Sequence, residues 1–236
     1  LNYFQIGGVE TFVYNQTKAL LKKGYNVVVL GKDDIYSDMF KKTGAKCINF
    51  EFENKNYYDY EKIEAFIKIL RDNNVTEVHN NSFQSMNVVG PACLITNTPY
   101  IAYSHMSESV IEDELNFFEE HYETYKENIE MYFRFANKIM SITPKTKKFI
   151  EEKYNITDND KVSFIRNSID FEEFKAKRMP KEIKRIIIIS RLEELKKKSV
   201  IEGIKLYEEL YKKNHNIELR IAGDGSARKE IEMLRK

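Results

Sequence analysis

The sequence predicts an α/β fold built on an open parallel sheet, and the patterning of the chain carries that expectation. Short β-branched or aromatic runs bounded by Gly, Asn, Pro or Asp alternate throughout with segments of helical periodicity. Parallel strands can be joined only by long crossovers, and helices used as crossovers cover both faces of the sheet. The alternation is interrupted once, late in the chain, which predicts a domain boundary there. With 236 residues and 42% hydrophobic content, there is enough apolar surface to bury a sizeable core.

The elements follow in order. Val9, Phe12, Val13 and Leu20 share one face of a first helix, and "NVVVLG" (26–31) and "KCINF" (46–50) are the next strands. Ile63, Phe66, Ile67 and Leu70 mark a second helix, followed by strands at "VTEVHN" (75–80) and "YIAYS" (100–104). A long helical pattern through Leu115, Phe118, Tyr122, Tyr125, Ile129 and Tyr132 leads to strands at "NKIMSIT" (137–143) and "KVSFI" (161–165). The polar stretch from Asn167 to Arg185 lacks strong periodicity and contains Pro180, and the alternation restarts at "IIIIS". The predicted organisation is a domain at 1–166, a linker at 167–184 and a partial domain at 185–236. The chain opens on "LNYFQIGG" and closes on "EIEMLRK", inside an amphipathic pattern, so a fragment is expected.

Composition excludes several function classes. Lys and Arg total 38 against 37 Asp and Glu, a formal charge of +1, which is no footprint for a nucleic acid. No apolar run reaches the roughly 18 residues of a membrane span, and no basic-then-apolar leader opens the chain. A soluble cytoplasmic protein is expected. Cys47 and Cys93 have no metal-ligand spacing and read as ordinary thiols.

In parallel α/β sheets, ligands bind beyond the carboxyl ends of the strands, where helix N-termini favour anions. Four places there bear on function. Gly7 and Gly8 precede the first helix, where missing side chains let a phosphate or sugar approach the backbone; the competing reading is a turn that merely starts a helix. His105 ends a strand beside Ser104 and Ser107, although a lone strand-end histidine is more often structural. Asn167, Ser168 and Asp170 follow another strand as the chain leaves the first domain, ordinarily a turn chemistry. Arg191 ends the "IIII" strand, with Lys196, Lys197 and Lys198 at the start of the next helix. Cations there oppose the helix dipole, so something anionic should offset them; an Arg fork and a Lys ammonium suit a diphosphate, while Lys197 and Lys198 read as solvated.

Taken in order, the Gly-Gly-Val-Glu helix start, the strand-end His105, "ANKIMSITPKTKKFI" running to "RNSIDFEEF", then "ISRLEELKKK" and "ELRIAGDGSARKEIEML" resemble a retaining glycosyltransferase of family four. The resemblance implies the GT-B fold, two Rossmann-like parallel-sheet domains with the second truncated here. It also implies transfer of a hexose from a nucleotide-diphosphate sugar to a glycan or lipid-linked acceptor hydroxyl, in cell-envelope or capsular polysaccharide synthesis. Gly7 and Gly8 would lie against donor phosphates or acceptor, His105 against the donor sugar near the reacting carbon, and Arg191 and Lys196 against the leaving diphosphate. Asn167 would be a donor contact, and Gly223 and Gly225 would shape a turn beside the nucleotide. The family generally needs no metal, and no Asp-x-Asp cluster is positioned for one, so neither metal nor cofactor is expected. The chain departs from the family at Ser190 and Lys197, where glycines are usual, and at Ser168.

Two other readings compete: a non-catalytic nucleotide-sugar or glycan-binding protein, and a GT-B epimerase or phosphorylase. Thr143 to Tyr154 is an amphipathic stretch of mixed charge. It reads first as a solvated helix face and second as a peripheral contact with the inner face of a membrane.

Overall fold

The computed structural model describes residues 7–34, 37–52, 58–106, 122–158, 160–167, 169 and 184–234. The chain divides into two units, Leu1–Glu173 and Phe174–Lys236.

In the first unit strands and helices alternate as α1 (Gly8–Lys22), β1 (Val28–Gly31), α2 (Ser37–Lys41), β2 (Lys46–Asn49), α3 (Tyr60–Asp72), β3 (Val78–Asn80), α4 (Met86–Thr96), β4 (Tyr100–Ser104), α5 (Tyr122–Arg134), β5 (Lys138–Ser141), α6 (Pro144–Lys153) and β6 (Val162–Phe164). Every pairing is parallel, as expected, but the strands form two hydrogen-bonded groups, β1 with β2 and β3-β4-β5-β6 in sequence order. The larger core packs Phe66, Leu70, Val88, Ala92, Ile129, Tyr132, Ile150 and Val162 around Ala102 and Ile139 of the central strands. A smaller one gathers Val13, Val29, Phe40 and Ala45. Helix α1 contributes to the smaller core and also bonds to β3 and β4, so it bridges the two strand groups.

Local chemistry sets the helix ends. Asp59 accepts the Lys62 N–H at 3.0 Å and Thr143 accepts that of Thr146 at 2.9 Å, with Pro144 in the first turn. Asn97, which follows α4, has a left-handed φ of 51°, a conformation asparagine tolerates better than most residues. Helix α4 is absent from the sequence expectation because "MNVVGPACLIT" is apolar nearly all round and holds Gly90 and Pro91. Burial of Met86, Val88, Val89, Ala92 and Cys93 overrides those local signals. The long pattern expected before β5 is realised as α5; Leu115 and Phe118 lie outside the described residues, as does most of 167–184.

The second unit contains β7 (Arg185–Ile189), α7 (Glu194–Lys213), β8 (Glu218–Ala222) and α8 (Arg228–Met233), with β7 parallel to β8. Leu192, Val200, Ala227 and Ile231 form its core, with Ile188, Ile204 and Ile221 against it. The covering of both faces expected of a parallel sheet holds on one face only at β7, since Ile187 and Ile189 are 57% and 77% exposed. No helix among the described residues is long and apolar enough to cross a membrane.

Candidate functional site

In the first unit, period-two alternation places His79 and Asn81 from the end of β3, and Tyr103 and His105 from the end of β4, on one face of the sheet. Helix α1 covers that face. Its Gln16 amide donates to the Tyr103 hydroxyl at 2.8 Å and lies 3.1 Å from His79 Nδ1. One turn earlier, the Phe12 ring sits 5.4 Å from the Tyr103 ring and 5.0 Å, edge-on, from that of His105. The Tyr103 ring is stacked between His79 at 5.6 Å and His105 at 6.0 Å. The start of α1 at Gly7 and Gly8 thus lies one turn from a column of rings that ends in His105.

His105 is partly buried, and its Nε2 is 2.8 Å from Asn81 Oδ1. Burial pushes its pKa down to about 4, because an imidazolium there would lose hydration without gaining a counter-charge. The ring is therefore neutral at physiological pH. Beneath it, Tyr132 of α5 ties the strand ends together. Its hydroxyl accepts the Tyr103 N–H at 2.9 Å and lies against the carbonyls of Asn80 and Tyr103.

Gly7 has extended backbone, φ −162°, and a Cβ built there would meet only the flexible carboxylate end of Glu10. A Cβ on Gly8 would meet nothing within 4 Å, so protein packing does not require glycine at either position. Asn167 is exposed beyond β6; Ser107, Ser168 and Asp170 lie outside the described residues.

In the second unit, the loops after β7 and β8 are laced together. Ser190 N–H donates to Ala222 O at 3.1 Å, Leu192 N–H to Asp224 O at 2.9 Å and Ala227 N–H to Leu192 O at 2.8 Å. This is why glycines sit in "AGDGS". A Cβ on Gly223 would fall 1.8 Å from Ser190 O, and one on Gly225, whose φ is +152°, 2.5 Å from Leu192 O. Arg191 is 67% exposed, with its guanidinium 3.6 Å from Glu193. Lys197 is ion-paired with Glu194 and Glu230. Among the described residues Lys196 has no ion pair. The expected anionic offset for these lysines is thus partly internal: Glu193 stands at the N-cap position of α7, without a side-chain capping bond, and Glu194 opens the helix.

The structure therefore gathers Gly7, Gly8 and His105 at one end of the first unit, and Arg191 and Lys196 on one loop and helix start of the second. Sequence reasoning missed Asn81, Phe12 and Tyr103. The signal for Asn81 was its place just past the strand end of "VTEVHN", one alternation beyond His79. Helix α6, the stretch considered for membrane contact, spends its apolar side inward: Ile150 is fully buried, Phe149 packs on the core, and Lys147 and Lys148 pair with Glu151 and Glu152. A groove of about 760 Å³ lined by Tyr60, Pro91, Leu94, Ile95, Tyr100 and Phe135 opens instead near the amino ends of β4 and β5, away from His105. Cys93 lines it too, with its thiol pushed up to about 12 by burial.

Residues 6–173 match the family described as Glycosyltransferase Family 4. No curated protein matches the chain. Among solved structures, Alr3699/HepE from Anabaena, in complex with UDP and glucose, aligns with a TM-score of 0.71 at 13% identity, over 99% of this chain and 63% of its own. A glycosyltransferase from Rickettsia africae gives 0.63 at 16% identity, over 94% and 66%. A Listeria monocytogenes protein assigned as a UDP-N-acetylglucosamine 2-epimerase gives 0.62 at 12%, over 99% and 63%. The chain thus spans less than two thirds of the HepE chain. At these identities the likeness bears on fold alone, and that fold is α/β GT-B, with Rossmann-like parallel-sheet units.

Proposed function

The chain belongs to Glycosyltransferase Family 4, and from that premise we propose that it transfers a hexose from a nucleotide-diphosphate sugar to an acceptor hydroxyl with retention of configuration. The observation that carries the reading is the neutral, half-enclosed His105 at a strand's carboxyl end, one helical turn from a start of α1 that is open at Gly8.

As the glycosidic bond breaks, negative charge grows on the diphosphate and positive charge on the sugar ring. Cations fixed beside the phosphates then stabilise the transition state more than the ground state. Arg191, with its planar fork, and Lys196, with a point charge at the start of α7, are assigned that role. His105 meets the sugar as an uncharged group; held neutral, it does not serve as an acid. Gly7 and Gly8 admit phosphate or acceptor to the backbone, and Asn167 is assigned to the donor on the family resemblance alone. In this reading residues 1–166 form the acceptor-side domain, 167–184 the linker and 185–236 the donor-nucleotide domain. The two cations do what a metal does in other transferases. The protein then works in the cytoplasm, on a glycan or lipid-linked acceptor of the cell envelope.

The test is thermal shift and diphosphate release with UDP-, GDP- and ADP-sugars, beginning with UDP-sugars because HepE holds UDP and glucose. Wild type is compared with the Arg191→Ala/Lys196→Ala double variant. Stabilisation by one series, with diphosphate release that the double variant loses, supports transfer. Binding without release makes the protein a binder, and interconversion of the sugar without acceptor makes it an epimerase. A double variant that behaves like wild type removes the proposed clamp.

A further inference from the structure

We propose that Asn81 is a positioning residue that fixes His105 as its Nε2–H tautomer, so that the ring meets the substrate through Nδ1 as a hydrogen-bond acceptor. The substrate half of this statement rests on the transferase reading; the tautomer half does not.

Asn81 Nδ2 lies 3.2 Å from the backbone carbonyl of His79, and a carbonyl can only accept. The amide NH₂ must therefore occupy that side, which turns Oδ1 toward His105. Oδ1 is also acceptor-only, and His105 Nε2 is 2.8 Å away. That nitrogen must carry the ring proton, for otherwise two lone pairs would face each other across the shortest polar contact of the ring. A second proton is not available: the ring is enclosed by Phe12 and Tyr103, and no carboxylate among the described residues hydrogen-bonds to it. Nδ1 is left with a lone pair and, among the described residues, without a partner. The choice of tautomer is thus made 24 residues away in sequence, by a side chain just past the end of the neighbouring parallel strand.

A bare ring nitrogen accepts from O–H and N–H groups and repels carboxylate, phosphate and ether oxygens. Where the substrate meets His105, a free hydroxyl is accepted, while an O-alkylated sugar or a uronate carboxylate in its place is disfavoured. Asn81 thereby acts on specificity without touching the substrate.

The experiment records ring ¹⁵N–¹H correlations of the full chain labelled at histidine, with His105 assigned by its loss in His105→Gln. In the wild type we expect a protonated Nε2 and a bare Nδ1, unchanged from pH 8 to pH 5.5. Asn81→Leu should yield mixed tautomers. Asn81→Asp keeps an acceptor and adds a charge, so Nε2 should stay protonated while the ring gains a second proton toward neutral pH. A wild-type ring protonated at Nδ1 overturns the proposal without any variant, and so does an Asn81→Leu ring identical to wild type. For activity, both variants should lose about 10- to 100-fold in kcat/KM, by analogy with the partners that orient metal-ligating histidines. Asn81→Leu with wild-type kcat/KM sinks the positioning role and leaves the transferase reading standing. A wild type that releases no diphosphate from any nucleotide-sugar sinks the transferase reading, while the ring spectrum still decides the tautomer.

Discussion

Replacing Gly8 with alanine tests whether that glycine serves the fold or a ligand. Gly8 is the first residue of α1, and an added Cβ would meet nothing within 4 Å. Alanine is the better helix former by roughly 0.5–1 kcal/mol. Stability should therefore hold or rise, by at most about 4 °C in Tm for a unit of this size. Function should move the other way. A methyl group placed where a phosphate or sugar oxygen approaches the backbone displaces at least one hydrogen bond to a charged group, worth about 1.5–3 kcal/mol, or about 10- to 150-fold in kcat/KM. Gly223→Ala is the contrasting control. Its Cβ would fall 1.8 Å from Ser190 O, a backbone atom, so the lacing of the two loops must open and the second unit must lose stability. Thermal unfolding and diphosphate-release kinetics on both variants supply the readouts. Wild-type kcat/KM for Gly8→Ala would refute the reasoning and leave Gly8 a simple helix start; a lowered Tm for the same variant would contradict the open space around it.

Three further outcomes are expected. Tyr132→Phe strands the Tyr103 N–H and the Asn80 carbonyl in the core, which should cost about 1–3 kcal/mol in denaturant unfolding; an unchanged midpoint would mean the hydroxyl is not the tie between β3 and β4. His105 takes up its proton near pH 4 when folded, against an ordinary value of 6.5. The unfolded chain therefore binds more protons between those values, and stability that is full above pH 6.5 declines as pH falls toward 4, by up to roughly 3 kcal/mol. His105→Gln should flatten that slope, and equal slopes in the two proteins would count against a neutral, buried ring. Diphosphate release should persist in excess chelator and fall by about 10²-fold or more in Arg191→Ala/Lys196→Ala, in line with removal of preorganised charge stabilisation; activity abolished by chelator would hand the clamp's role to a metal.

The fold class was legible because parallel strands and their covering helices write their periods directly into the chain. Residues 100–104 form a largely apolar run buried on both sides, Ile139 of 138–141 is buried beside it, and Ile63, Phe66, Ile67 and Leu70 recur at the helical period on one face of α3. Helix α4 was not legible, since apolar residues nearly all round it, exposed Leu94 and Ile95 included, erase the amphipathic signal, and Gly90 and Pro91 argue locally for a break. The covering of β7 on one face only was equally hidden, because a run of isoleucines reads as buried whether or not anything packs upon both sides. The lysines opening α7 illustrate an intermediate case. Their charge was evident, but that Lys197 pairs with Glu230 from the next helix follows from the return of the chain after β8.

The sequence alone determined which residue types stand at strand ends and helix starts: Gly7 and Gly8, His105, Arg191 and Lys196. It could do so because caps, turns and apolar periods are local properties. Only the tertiary structure decided what His105 is chemically. Its pKa and its tautomer depend on desolvation by Phe12 from α1 and on a hydrogen bond to Asn81, just past the parallel strand β3, partners that no local pattern brings together. Protonation is set by the energy of a charge in its three-dimensional surroundings, and those surroundings exist only once the sheet has formed and α1 has closed over it.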